Sequence, residues 1–140
     1  MKKFSQYTID RIPTDSYIMN PAELHEFFDF DVKRVYFITE TEADTGSHCH
    51  KQEQEFFIMV QGSCTAEIDR GEGLEEFEMS GPSESDADAI YVDNYVWHHF
   101  KDFSEEAILL ALSSTNYDPS RQDYIEDYQD YLEIRDEKLN

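Results

Sequence analysis

Apolar and polar positions alternate in short runs along most of the chain. Val32 to Thr39 (VKRVYFIT), Glu55 to Gln61, Ser63 to Asp69, Leu74 to Met79, Ala89 to Asp93, Val96 to Phe100 and Ala107 to Ser113 are each a brief β-branched or aromatic run. Gly, Asp, Asn or Ser bounds them, which is the signature of strands. Asp69-Arg70-Gly71-Glu72-Gly73 is a hairpin turn whose glycines supply positive φ. Two segments break the pattern. Asn20-Pro21-Ala22-Glu23 offers an N-cap, a proline at the first helical position and a glutamate at the third. It predicts a short N-terminal helix through Phe28, ended by Asp29-Phe30-Asp31. Asp118-Pro119 opens a second helix over about 119–135, where Tyr124, Tyr128, Tyr131 and Leu132 recur at helical spacing as a docking stripe. Gly81 to Asp86 (GPSESD) is a polar surface loop. Many short strands with close turns give an all-β sandwich or barrel. The chain is expected to be one domain, 1–140, with a β-body over about 30–114.

At 140 residues the chain is long enough to bury a core. Thirty-two acidic residues against eleven basic ones give a formal charge of −21. That balance argues against nucleic acid or an anionic membrane as partner, because phosphate binding needs positive surface. No apolar run approaches the roughly 18 residues of a membrane span, and MKKFSQYTID lacks a signal-peptide core. Two cysteines, Cys49 and Cys64, make no disulfide framework, so a cytoplasmic location with free thiols is expected.

Chemistry concentrates in GSHCHKQEQEFFIMVQG, residues 46–62. On a strand, His48 and His50 project to one face, roughly 6.5 to 7 Å apart along the chain, while Cys49 points to the other as a packing residue. Glu55 leads the next strand, sharing a side with Phe57, Met59 and Gln61. His98-His99 follows Trp97 near the end of the β-region, with His99 of opposite parity to His98. Three uses compete. Neutral imidazoles of His48, His50 and His98 with the Glu55 carboxylate suit a divalent transition metal such as Zn, Fe, Mn or Ni. Alternatively the paired imidazoles, the only side chains titrating near neutrality unperturbed, transfer protons on a substrate. Ligation ties up the ring lone pair, so these two roles exclude each other. The third use is merely structural polarity.

The spacing H-x-H-x4-E-x6-G, met by His48, His50, Glu55 and Gly62, resembles the first cupin motif, with His98 where cupins place their third histidine. This implies a cupin jelly roll, a double-sheet barrel with its site in the mouth. Five blocks in order also resemble the sugar 3,4-ketoisomerases: K-R-V-Y-F-I (Lys33 to Ile38), H-C-H-K (His48 to Lys51), Q-G-S-C (Gln61 to Cys64), V-W-H (Val96 to His98) and D-Y-I-x-x-Y-x-x-Y (Asp123 to Tyr131). The resemblance implies a homodimeric isomerase without cofactor, acting on the nucleotide sugar dTDP-4-keto-6-deoxyglucose in deoxysugar biosynthesis. Its keto group moves from C4 to C3 through an enediol. His50 is then the base at C3 and His48 its partner. Tyr36 and Arg34 donate to the sugar or its oxyanion, and Lys51, Trp97 and His98 line the mouth. Lys33, Arg34, Lys51 and Lys101 are the candidates for local positive potential. Two departures stand out. Asp10-Arg11-Ile12-Pro13 replaces the family's D-x-R-G segment, and Glu55 stands where the family tends to carry glutamine, completing the alternative metal set His48, His50, Glu55 and His98. A metal-dependent cupin and a non-catalytic sugar-binding cupin are the competing functions.

Overall fold

The computed structural model describes residues 3–82 and 87–139, so Ser83 to Asp86 of the expected polar loop lie outside the described residues. The strands are β1 (Phe4–Tyr7), β2 (Ile12–Pro13), β3 (Ile18–Met19), β4 (Arg34–Ile38), β5 (Thr45–His50), β6 (Glu55–Gln61), β7 (Ser63–Asp69), β8 (Leu74–Ser80), β9 (Ala89–Val92), β10 (Trp97–Lys101), β11 (Ile108–Ser113) and β12 (Tyr124–Ile125). One helix, α1 (Tyr128–Leu139), closes the described chain. Two five-stranded sheets form, in the orders β1-β9-β6-β11-β4 and β12-β5-β10-β7-β8, and β2-β3 is a separate ribbon. The named strands pair antiparallel throughout.

Alternation decides what each sheet contributes to the space between them. Phe57, Met59, Leu109, Ala111, Ile90 and Val92 come from the first sheet. Cys64, Ala66, Ile68, Met79 and Phe100 come from the second, and together they form the largest apolar cluster. The outer face of the first sheet carries Phe56, Tyr91, Ala89 and Leu112, covered by Phe27 and Phe28. Phe27 stacks on Phe56 with centroids 5.1 Å apart. The outer face of the second sheet carries Cys49 and Trp97, covered by Tyr131 of α1.

Both helix expectations need correction. Instead of a helix from Asn20 to Phe28 there is a single 3-10 turn, Leu24–Glu26, preceded by Glu23 with no side-chain cap. Burying Phe27 and Phe28 against the sheet fixes that segment more strongly than its capping signals do. The C-terminal helix starts at Tyr128, not near 119. Before it, Tyr124 and Ile125 pair with His50 and Cys49 of β5. Tyr124 therefore belongs to a sheet edge and not to the helical stripe.

Candidate active site

Three histidines and one glutamate meet at one end of the space between the sheets. A bulge makes this possible. The β5–β10 pairing shifts register between His98 and His99, opposite Gly46 and His48. Gly46 has φ +92°, and a Cβ there would meet the His98 carbonyl oxygen at 3.1 Å. Ser47 also adopts a positive φ of 61°. A non-glycine residue in that region costs about 1–3 kcal/mol. The bulge turns the Gly46 carbonyl toward its own strand, where His48 Nδ1 donates to it at 3.0 Å. With Nδ1 occupied, His48 presents Nε2 to His50 Nε2 at 3.1 Å. His98, opposite His48 in register, is fixed likewise by Nδ1 on the Val96 carbonyl at 3.1 Å.

Carboxylates surround the second ring of the pair. His50 Nδ1 lies 3.1 Å from Asp123 Oδ2 and 3.4 Å from Glu53 Oε1. Its Nε2 lies 3.1 Å from Glu55 Oε1, an oxygen that also approaches His98 Nε2 at 3.4 Å. Burial lowers the affinity of His50 for a proton, but the hydrogen bonds and charges of Asp123, Glu55 and Glu53 outweigh it and raise its pKa to about 9. Next door the balance is opposite. Burial, with the neighbouring His98 and His50, pushes His48 far below the usual imidazole range. Glu55 is fully buried, yet His50 and His98 hold it well below the ordinary carboxylate value. Tyr36 donates to Glu55 Oε2 in a very short hydrogen bond, and burial and Glu55 raise its pKa. The two neighbouring rings are thus shifted in opposite directions, with His50 holding a proton in preference to His48.

A cavity of about 500 Å³ opens over these rings, lined by Arg34, Tyr36, His48, His50, His98, Tyr124 and, at its rim, Tyr117 and Arg121. Arg34 reaches it from β4. Its guanidinium donates to Glu53 at 2.9 Å, and its Nε has no hydrogen-bond partner among the described residues. Glu53 also accepts from the Ser113 hydroxyl at 2.6 Å. Burial, then Glu55, raise the pKa of Glu53.

His48, His50, His98, Tyr36 and Arg34 are all brought to this cavity, with Glu55 beneath it. Lys51 and Trp97 are not. Lys51 is exposed past the end of β5, its backbone N–H bonded to the Asp123 carbonyl. Trp97 adjoins His98 and so faces away from it. It is buried on the far side of the sheet, its ring 5.4 Å from Tyr131. His99 likewise points elsewhere, toward Asp44 and Glu67. Tyr117, Arg121, Asp123 and Tyr124 were not expected to reach the site. Asp123 and Tyr124 do sit inside the D-Y-I block that carries the resemblance, and that block is the signal that could have found them. Nothing in the sequence marks Arg121.

One ring nitrogen each of His48, His50 and His98 and a Glu55 oxygen lie within 4.8 Å of one another. These donors suit a divalent transition metal, and the bonded Nδ1 atoms would orient them. The same atoms suit proton transfer.

Comparison with known proteins points one way. A curated TDP-4-oxo-6-deoxy-alpha-D-glucose-3,4-oxoisomerase of Aneurinibacillus thermoaerophilus is 34% identical over 104 residues, 73% of this chain and 70% of the relative. The structure of QdtA, a sugar 3,4-ketoisomerase of Thermoanaerobacterium thermosaccharolyticum in complex with TDP, superposes with a TM-score of 0.84 at 27% identity. That match covers 99% of this chain and 98% of the other. The WlaRB TDP-quinovose 3,4-ketoisomerase of Campylobacter jejuni gives 0.81 at 29% identity, over 95% and 99%. Residues 4–136 match the model of the FdtA family, described as WxcM-like, C-terminal. With that match spanning nearly its whole length, this chain belongs to the FdtA (WxcM-like, C-terminal) family.

Proposed function

We propose that the chain is a sugar-nucleotide 3,4-ketoisomerase that moves the keto group of a TDP-linked 4-keto-6-deoxyhexose from C4 to C3, with His48 and His50 carrying the protons. The observation behind this reading is the direct Nε2···Nε2 contact of 3.1 Å between two imidazoles that face a cavity beside Tyr36 and Arg34.

The isomerisation moves one proton from C3 to C4 and another from O3 to O4. The pair holds one proton, resting on His50. Passing it to His48 places it on the stronger acid, which delivers it to O4. His50, now neutral and the stronger base, takes the proton from C3, and an enediol forms. In the second half His48 accepts the O3 proton and His50 returns its proton to C4. The pair ends with the one proton it began with, so no outside acid or base is consumed. Carbon protons travel on His50 and oxygen protons on His48. Tyr36 lies beside the developing oxyanion and becomes a donor to it when its O–H turns from Glu55 Oε2. Arg34, paired with Glu53, and Arg121, paired with Glu126, are the cations lining the cavity that suit a diphosphate.

The two sheets are read as the halves of a cupin jelly roll, and the working unit as a homodimer. Val35 and Phe37 on the free edge strand β4, with Ile12, Ile18 and Met19 on the β2–β3 ribbon, leave apolar surface that a second copy would cover. Sedimentation of the purified protein tests this, and a monomer at working concentration would sink it. Buried, unpaired Cys49 and Cys64 suit a reducing cytoplasm.

The deciding assay is incubation with TDP-4-keto-6-deoxyglucose, following the product by NMR. Keto migration by protein containing no stoichiometric metal is the expected result. The converging donor set favours one second reading, a metal-dependent cupin held by His48, His50, Glu55 and His98. Activity that appears only with bound Fe, Zn, Mn or Ni would establish it instead.

A further inference from the structure

His50 gains its orientation from a residue 73 positions away. Asp123 Oδ2 sits 3.1 Å from His50 Nδ1. The carboxylate is itself held. Its Oδ1 accepts the Gln52 backbone N–H at 2.7 Å, and its Oδ2 accepts that of Glu53 at 3.3 Å. In return the Asp123 carbonyl accepts the Lys51 N–H at 2.8 Å. The turn after β5 and the residue before β12 are therefore clamped to each other from both sides. Asp123 is in place before any substrate arrives.

Among the described residues the competing carboxylate is Glu55, 3.1 Å from Nε2, but it is shared with His98 and accepts from Tyr36, whereas Asp123 faces His50 alone among the rings. At Nδ1 the only rival among the described residues is Glu53, at 3.4 Å. Its other oxygen is committed to Arg34 at 2.9 Å and to the Ser113 hydroxyl at 2.6 Å, which draw the carboxylate toward β4 and β11. Glu55, His48 and His98 lie on the Nε2 side, and Tyr124 packs edge-on with its ring centroid 4.4 Å from that of His50.

We propose that Asp123 is a positioning residue for the isomerisation, holding the proton on His50 Nδ1 so that Nε2 alone faces His48 and the sugar. This rests on the ketoisomerase reading above. A neutral imidazole has one N–H and one lone pair. If Asp123 takes the N–H at Nδ1, the lone pair is at Nε2, where the C3 proton must be received. If the N–H moved to Nε2, His50 would have no lone pair on the cavity side and could not act as the base. The carboxylate thus selects the working tautomer and fixes the ring, without touching the substrate.

The test pairs two substitutions with a tautomer measurement. Asp123→Asn keeps an acceptor for the Gln52 amide, gives up the long 3.3 Å bond from the Glu53 amide, and puts an NH₂ opposite Nδ1, which favours the wrong tautomer. It is expected to lower kcat at least about thirtyfold, as loss of a base-orienting carboxylate does elsewhere. KM and TDP affinity should change by less than about threefold. Ile125→Ala is the structural control. Ile125 packs against the Cys49, Trp97 and Tyr131 cluster, so this change loosens the same segment without altering the carboxylate. It should lower Tm while leaving kcat within about twofold. Asp123→Asn with normal kcat, or Ile125→Ala with an equal loss, would overturn the proposal. Should Asp123→Asn not fold, ¹⁵N-histidine NMR of the unaltered protein still decides. The neutral His50 ring is expected to carry its proton on Nδ1, and a neutral ring protonated on Nε2 would overturn it. That spectrum reads Asp123 even if no isomerisation is found, so failure of the ketoisomerase reading is seen separately.

Discussion

The two faces of the second sheet are built from the same strands and do opposite work. On the inner face of β5 and β10, His48, His50 and His98 crowd together over Glu55. On the outer face, one residue along in each case, Cys49 and Trp97 are sealed under Tyr131 and Tyr128. The inner rings are held by hydrogen bonds to backbone carbonyls and carboxylates, with a cavity above them. The outer ones are held by packing and by Asp69, which is fully buried. It accepts from the Tyr128 hydroxyl at 2.7 Å and pairs with Arg135 at 3.1 Å. Strand alternation lets a rigid apolar backing lie one residue from a charged site. The difference teaches that the proposed chemistry sits on one face and the supporting packing on the other.

The comparison can be broken most sharply from the inside. His48→Asn and His50→Asn should each reduce turnover by about 10²–10⁴-fold, the usual contribution of a positioned acid–base group, with the fold retained by circular dichroism. Near-normal turnover in both would erase the distinction. The complementary change is outside: Trp97→Ala should cost about 3–5 kcal/mol in urea unfolding, as large-to-small core substitutions do. Its turnover per folded molecule should stay within about twofold of normal. A selective loss of kcat at full stability would return Trp97 to the site.

Asp69 sharpens the contrast through pH. Burial acts to raise its pKa, but Tyr128, the Gly71 and Gly73 amides and Arg135 together hold it below its ordinary value of 3.8. The unfolded chain therefore binds this proton more readily than the folded one. The stabilisation is present above about pH 4 and is lost as pH falls through the folded value. Asp69→Asn should cost about 1–3 kcal/mol at pH 7, and the gap to the unaltered protein should shrink below about pH 4. A gap that does not change with pH would remove the carboxylate's charge from the account. The smallest effect is expected from Glu55→Gln, which keeps an acceptor beside Tyr36 and should lower turnover by less than about tenfold. Complete loss together with a lost metal would instead favour the metal reading.

Parity made much of this legible in the sequence. The H-x-H spacing places both rings on one face and Cys49 behind them, and it places His99 outside. The same rule excludes Trp97 from the mouth, because it adjoins His98. Its position in a motif with His98 pointed the other way, and geometry prevails. The N-terminal capping signals around Pro21 lose to Phe27 and Phe28, whose burial on Phe56 is a tertiary effect no local pattern encodes. The segment from Tyr117 to Tyr124 was the hardest to see. Its strand is two residues long, too short to show a period, and Arg121 reaches the cavity through a positive φ of 55°.

The clamp between residues 51–53 and Asp123 bears on how the enzyme comes into being. Contacts this far apart along a chain form late, since the intervening loop must first be closed. A nascent polypeptide emerging from the ribosome would display both imidazoles long before the carboxylate that sets one of them. A fragment that ends ahead of Asp123 would keep the Gly46 hold on His48 but lose the carboxylate at Nδ1 of His50.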